Sequence, residues 1–242
     1  MCISEGRHSS ATGMQGTVVV TQPNYVPWRG HFALLAEART FVVLDDVQYT
    51  KRDWRNRNTI LGPNGLEWLS IPVRTKGHYT QSIKEVHIND LSWKRTHWAR
   101  LKWAYGGCVG WEAFADLFGS FYSRPSRTFL VDELLISMQL CLEGIGVRPE
   151  VLLGSELPGS QNPSERLAVK VASVGGRRYV TGPSARNYLD NERFRARGIE
   201  VEWFRYPSFS PYSQHATEFV ENVSVLDFFC QNARDKWKDW HR

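Results

Sequence analysis

Two stretches of the chain gather the residue types that chemistry needs. The first, QPNYVPWRGH at residues 22–31, packs two prolines, two aromatics, a glycine and a histidine into ten positions. The second, DDVQYTKRDWRNRN at residues 45–58, opens on two carboxylates and closes on three arginines interleaved with a tryptophan and asparagines. His31 titrates near neutrality and so suits proton transfer or the gripping of an anion. Asp45 and Asp46 can bind an amine, orient a hydroxyl or serve as general base, and adjacent positions at a strand end send them to opposite sides. Arg52, Arg55 and Arg57 offer planar forks for phosphates, with Trp54 as an aromatic face and Asn56 beside it. Gln22, Asn24 and Gln48 add neutral hydrogen-bonding groups, Tyr25 and Trp28 add rings, and Gly30 allows close approach of the backbone. A competing reading makes His31 a helix cap, puts Tyr25 and Trp28 in the core, and pairs Asp45, Asp46 and Asp53 with the arginines.

Two later stretches have similar character. In TGPSARNY (181–188), the amides around Gly182 and the Ser184 hydroxyl could cradle an anion, although Gly and Ser are also ordinary before a helix. In RYPSFSPYSQH (205–215), Tyr206, Tyr212 and Gln214 suit a polar, aromatic rim. His97 shares a helical face with Trp93 and Leu101 and reads as a core-edge histidine. No G-x-S-x-G elbow, Walker A loop, G-x-G-x-x-G turn, H-E-x-x-H helix or EF-hand occurs, and no metal ligand set is expected.

The elements that must position these residues follow from periodicity. Thr17–Thr21 and Phe41–Leu44 are short valine-rich runs of the kind buried on both faces of a parallel sheet. Phe32, Leu35 and Ala36 between them mark a helix of about three turns. NTILGPNGLEWLSIPV reads as a hairpin turning on Asn64-Gly65. Residues 92–146 read as a helical insertion: one helix from Ser92 to Gly106-Gly107, a second in WEAFADLFGSFY and a third closing on Gly144. Strands EVLLG, RRYVTG and IEVEWFRY then alternate with helices PSERLAVKVASVGG and SARNYLDNERFRARG, and SVLDFFCQNARDKW makes a final helix. The expectation is an α/β fold with one mostly parallel sheet, flanking helices and the helical insertion, in a single domain over 17–242. All four chemistry-bearing stretches then leave the carboxyl ends of strands, where open α/β sheets bind ligands.

Composition sets outer bounds. The 242 residues carry 42% apolar side chains and a formal charge of +5, which fits a globular chain with a solvated basic surface. No apolar run approaches a membrane span. Residues 1–16 lack the apolar centre of a secretory signal and read as a flexible tail, in which Met14 offers an alternative start. Cys2, Cys108, Cys141 and Cys230 form no C-x-x-C pair, which points to a reducing cytoplasm.

The ordered set QPNYVPWRGHF, FVVLDDVQYTKRDWRNRN, GLEWLSIPV, WKRTH, SERL, YVTGPSARNYL, GIEVEWFRY, YSQ and NVSVLDFF resembles the WbqC-like protein family over about residues 17–229. That resemblance implies a bacterial cytoplasmic enzyme of surface-polysaccharide (O-antigen) and amino-sugar synthesis, transferring an acyl or aminoacyl group such as glycyl to the amine of a nucleotide-linked sugar. On it, His31 and the arginines would hold phosphates, Asp45 or Asp46 would orient or deprotonate the amine, and Tyr25, Trp28 and Trp54 would pack the base or sugar. The donor is left open between an aminoacyl adenylate, a charged tRNA and a thioester. A local likeness to HIGH-type nucleotidyltransferases, in a strand, a proline-containing loop and Gly-His opening a helix, would bring ATP and Mg2+ as cofactors and suggests a HUP-like sheet. Trp28 stands here in place of the first histidine of that motif, and Arg29 or the Arg52–Arg57 cluster would substitute for the missing lysine loop. The alternatives are an ATP-using nucleotidyltransferase or ligase and a non-catalytic module that binds nucleic acid or a glycan.

Overall fold

The computed structural model describes residues 16–241, so the expected tail up to Gln15, with Met14 and Cys2, lies outside the described residues. Strands β1 (Thr17–Thr21), β2 (Thr40–Val43), β5 (Glu150–Leu153), β6 (Arg178–Thr181) and β7 (Glu200–Trp203) form one all-parallel sheet in the order β5-β2-β1-β6-β7. Both α/β stretches of the sequence therefore join a single sheet. Strands β3 (Arg57–Gly62) and β4 (Gly65–Ser70) make a separate antiparallel hairpin. Its two loop residues are Pro63 and Asn64, with Gly65 at φ +101° opening β4.

Continuous apolar strands arise because both faces of the sheet are covered. Val18, Val20 and Val42 pack with Leu167, Ala168 and Val171 of α5 (Pro163–Ser173) and Phe194 of α6 (Asn191–Arg195). Val19, Phe41 and Val43 face the larger core, built with α1 (Arg29–Ala36), the hairpin, the helical block and α7 (Val225–Gln231). The block comprises α2 (Trp93–Tyr105), α3 (Trp111–Ser123) and α4 (Leu130–Ile145). A buried ion pair, Lys94 Nζ to Glu133 Oε2 at 2.7 Å, ties α2 to α4.

Several helix ends differ from expectation, each for a local reason. Helix α1 spans eight residues, because the amides of Glu37 and Ala38 bond three residues back and tighten the chain into β2. Gly146, at φ +78°, ends α4, whereas Gly144 lies within the helix under the Phe229 ring. The Ser92 hydroxyl turns to Asp90 Oδ1 (2.7 Å) and leaves α2 uncapped by that side chain. After β6 the expected single helix breaks at residues 188–190, where the Asp190 amide donates to Ser164 Oγ and its carboxylate recaps α6. Helix α7 stops at Gln231 because Asn232 becomes extended and donates its side-chain amide to Phe228 O at 2.8 Å.

Candidate functional site

Reading the five sheet strands in chain order gives the order 3-2-1-4-5, so the direction of winding reverses between β1 and β6. The crevice outside the carboxyl ends of such neighbouring strands is where open α/β sheets place their ligands. Here it is bordered by the loop 22–28 after β1 and by Gly182 and Ser184 after β6.

Loop 22–28 is strained and held from several directions. Val26 sits at φ +37°, a region that costs a β-branched residue on the order of 1–3 kcal/mol. Its carbonyl accepts from Asn58 Nδ2 (2.9 Å) and Ser224 Oγ (2.7 Å), while Pro27 O accepts from the Val225 amide (2.9 Å). The Tyr25 amide donates to Trp54 O (3.0 Å). The Tyr25 ring is fully buried, with its hydroxyl 2.9 Å from both His97 Nδ1 and Tyr122 Oη. His97 Nε2 faces Ser70 O at 3.2 Å and must donate there, so Nδ1 accepts the Tyr25 proton. Tyr25 and His97 thus serve to fix the loop.

This loop and the segments after it hold buried polar atoms without partners. Gln22 Oε1, His31 Nε2, Arg55 Nε and Arg57 Nε are all buried and bond to nothing among the described residues. Arg55 donates from Nη1 to Asn24 Oδ1 and from Nη2 to Asp53 Oδ2 at 3.1 Å, so the Arg-rich connection is clamped onto the β1 loop. His31 is 6% exposed, and burial, aided by the Arg55 charge, pushes its pKa down to about 3. The imidazole is neutral and offers a hydrogen bond, not a charge. Orphaned buried polar atoms are rare in proteins, and several in one place call for a ligand, ion or water.

The other expected residues divide sharply. Gly30 makes room for Trp28, since a Cβ there would lie 2.2 Å from the indole. Trp28 in turn packs on Tyr206 (ring centroids 5.3 Å apart), whose hydroxyl lies over Gly182. This aromatic pair spans the crevice from the β1 loop to the β7 exit. Arg29 is 3% exposed, with its guanidinium 4.5–5.7 Å from the rings of Phe209, Tyr212, Phe219 and Phe228. It is committed to holding the later loop. Tyr212 and Gln214 both donate to Asp227 Oδ2 (2.6 and 2.8 Å), and Tyr105 donates to Oδ1 (2.8 Å). Asn56 bridges Tyr49 and Ile71 O, and Gln48 bonds Tyr79 O, away from the β1 loop. Arg52, at φ +57°, is exposed; Ser184 is also exposed. Trp54, 46% exposed, stacks on Trp68, over which Arg57 lies at 4.2 Å.

The two carboxylates after β2 have different fates. Asp45 is buried and accepts both the Ser155 amide (2.8 Å) and hydroxyl (2.7 Å), capping the turn after β5. Asp46 Oδ2 lies 2.9 Å from the fully buried Lys170 Nζ, while its Oδ1 is buried and unpartnered. Of the residues at this end of the sheet, Lys170 was not singled out in the sequence, whereas Tyr206 was read as part of an aromatic rim. A lysine inside the apolar face LAVKVAS of α5 was the available signal for Lys170.

The HIGH-type likeness can be tested against these contacts. The position over Gly30 is filled by the Trp28 indole, and Arg29 is enclosed by aromatics. The start of α1 therefore does not fit ATP phosphates. Among the described residues no cluster of three or more His, Cys, Asp or Glu side chains could hold a metal ion. No helix among them is long and apolar enough to cross a membrane.

Sheet order and strand-end loops define an α/β protein with an all-parallel five-stranded sheet whose winding reverses between β1 and β6. The chain belongs to the WbqC-like protein family, whose model matches residues 22–239. It is similar to the uncharacterized protein Rv1507c of Mycobacterium tuberculosis (strain ATCC 25618 / H37Rv), with 37% identity over 212 residues, 87% of this chain and 91% of that one. No solved structure matches the chain.

Proposed function

We propose that the protein transfers an already activated acyl or aminoacyl group to the amine of a nucleotide-linked sugar, as a cytoplasmic step of bacterial surface-polysaccharide synthesis. The observation that carries this reading is that Gln22, His31 and Arg55 keep unpartnered buried atoms in and beside a strained, firmly held loop at the sheet's point of reversal. A diphosphate linking base and sugar supplies acceptors for Arg55 and for an N–H of the His31 imidazole. Asp46, with one oxygen unpartnered, receives the sugar ammonium and takes its proton, because only the free amine attacks. The amine nitrogen bonds to the donor carbonyl carbon. The ester or thioester bond breaks, and the displaced proton ends on the departing alcohol or thiol. A pre-activated donor is favoured over ATP by the Trp28 indole seated on Gly30.

Thermal unfolding in the presence of nucleoside-diphosphate sugars, with and without an amino group, tests the reading. A nucleotide-linked amino sugar should raise the melting temperature by mass action, and Arg55→Gln should remove that rise. Equal stabilisation of wild type and Arg55→Gln, or none by any nucleotide sugar, would sink it. Asp46→Asn made together with Lys170→Met, which relieves the buried ammonium, should keep nucleotide-sugar binding and lose transfer.

A further inference from the structure

A separate groove of about 1050 Å³ lies between α1, the end of α4, residues 204–207 and the C-terminal segment. The strap 204–207 divides it from the crevice: Phe204, Arg205 and Pro207 line the groove, while Tyr206 turns the other way onto Trp28. Four cations line it, Arg148, Arg205, Arg234 and Lys238, against the two carboxylates of Glu37 and Glu143. All four cationic residues are exposed. Among the described residues none of them forms an ion pair or a side-chain hydrogen bond, and Arg234 only leans on the Trp237 ring at 6.0 Å. The carbonyl end of α4 at Gly146 accounts for Lys238 nearby, but it does not account for three arginines on three separate segments.

We infer that this groove binds the phosphodiester backbone of a single-stranded RNA segment. Guanidinium forks match phosphate oxygens better than point charges do, and cations spread over several segments match a row of phosphates better than one anion. An open trough also suits a strand that passes through. If the transfer reaction proposed above is right, an RNA bound here makes the activated donor a charged tRNA. Binding itself does not depend on that reaction.

The test uses fluorescence polarisation of a short, unstructured, fluorescein-labelled RNA with the full chain, titrated at several salt concentrations. Wild type should bind with a steep salt dependence. The variant R148Q/R205Q/R234Q should bind about tenfold or more weakly at about 100 mM salt, and its salt slope should flatten by about 2, given about 0.7 per phosphate contact on a single strand. The charge-matched variant K76Q/K84Q/R95Q, altered on exposed residues outside the groove, should bind like wild type. Unaltered melting temperatures establish that both variants fold. Absence of binding, equal loss in the two variants, or displacement of the RNA by free nucleoside diphosphate or an acidic polysaccharide as readily as by unlabelled RNA would each overturn the inference.

Discussion

Two buried histidines make the fold sensitive to mild acid. His31 and His97 are 6% and 3% exposed, and burial lowers their pKa values to about 3 and about 4. In the unfolded chain both titrate near 6.5. Their folded values are depressed, so below about pH 6.5 the unfolded chain takes up protons that the folded chain refuses, and stability falls as pH falls. At pH 5 each histidine costs about 2 kcal/mol relative to pH 7.5, at about 1.4 kcal/mol per pH unit, and the pair about 4 kcal/mol. The buried carboxyl of Asp227, pushed upward by its burial, acts with the opposite sign and gains stability as pH falls. The measurement must therefore be a difference. Urea unfolding of wild type, His31→Gln, His97→Gln and the double variant at pH 7.5, 6 and 5 isolates the histidines, because Asp227 is common to all four. Each single variant should lose about 2 kcal/mol less than wild type between pH 7.5 and pH 5. If the double variant declines as steeply as wild type, the burial argument is wrong. An anionic ligand against His31 Nε2 should raise that pKa again, so ligand binding should take up a proton and tighten as pH falls through the new value.

Other substitutions separate the structural from the functional residues. Asp46→Asn leaves the Lys170 ammonium buried beside a neutral partner and should destabilise the chain by about 3 kcal/mol; Asp46→Asn with Lys170→Met should recover most of it in urea unfolding. Asp45→Asn weakens the cap on Ser155 and should cost about 1–2 kcal/mol by the same measurement. Arg29→Met keeps the packing but removes the cation from its four rings, for an expected loss of about 1–2 kcal/mol in unfolding free energy. Gly30→Ala should displace the indole and be destabilising in wild type yet nearly silent in Trp28→Ala, a coupling readable in a double-mutant cycle.

The periodic elements were legible because their physics is local. Valine runs mark strands covered on both faces, and the stripes of α2 to α4 mark helices, whatever their neighbours are. What escaped the sequence is which polar residue finds a partner far along the chain. Arg29 looks like Arg55 in the sequence, yet Phe209, Tyr212, Phe219 and Phe228 take the first into the core, while Arg55 keeps an unpartnered Nε beside Asn24. Asp45 and Asp46 are neighbours, yet Ser155 uses both oxygens of one and Lys170 only one oxygen of the other. A cluster of charged and aromatic residues in a sequence therefore identifies a region that must be held in place, and most of its members do the holding. The smaller remainder, polar atoms buried without partners, is where an incoming molecule can gain what folding left unsatisfied. By that criterion Gln22, His31, Asp46 and Arg55 are the positions at which substitution should change binding or transfer more than it changes stability, with Asp46 the exception until Lys170 is replaced as well.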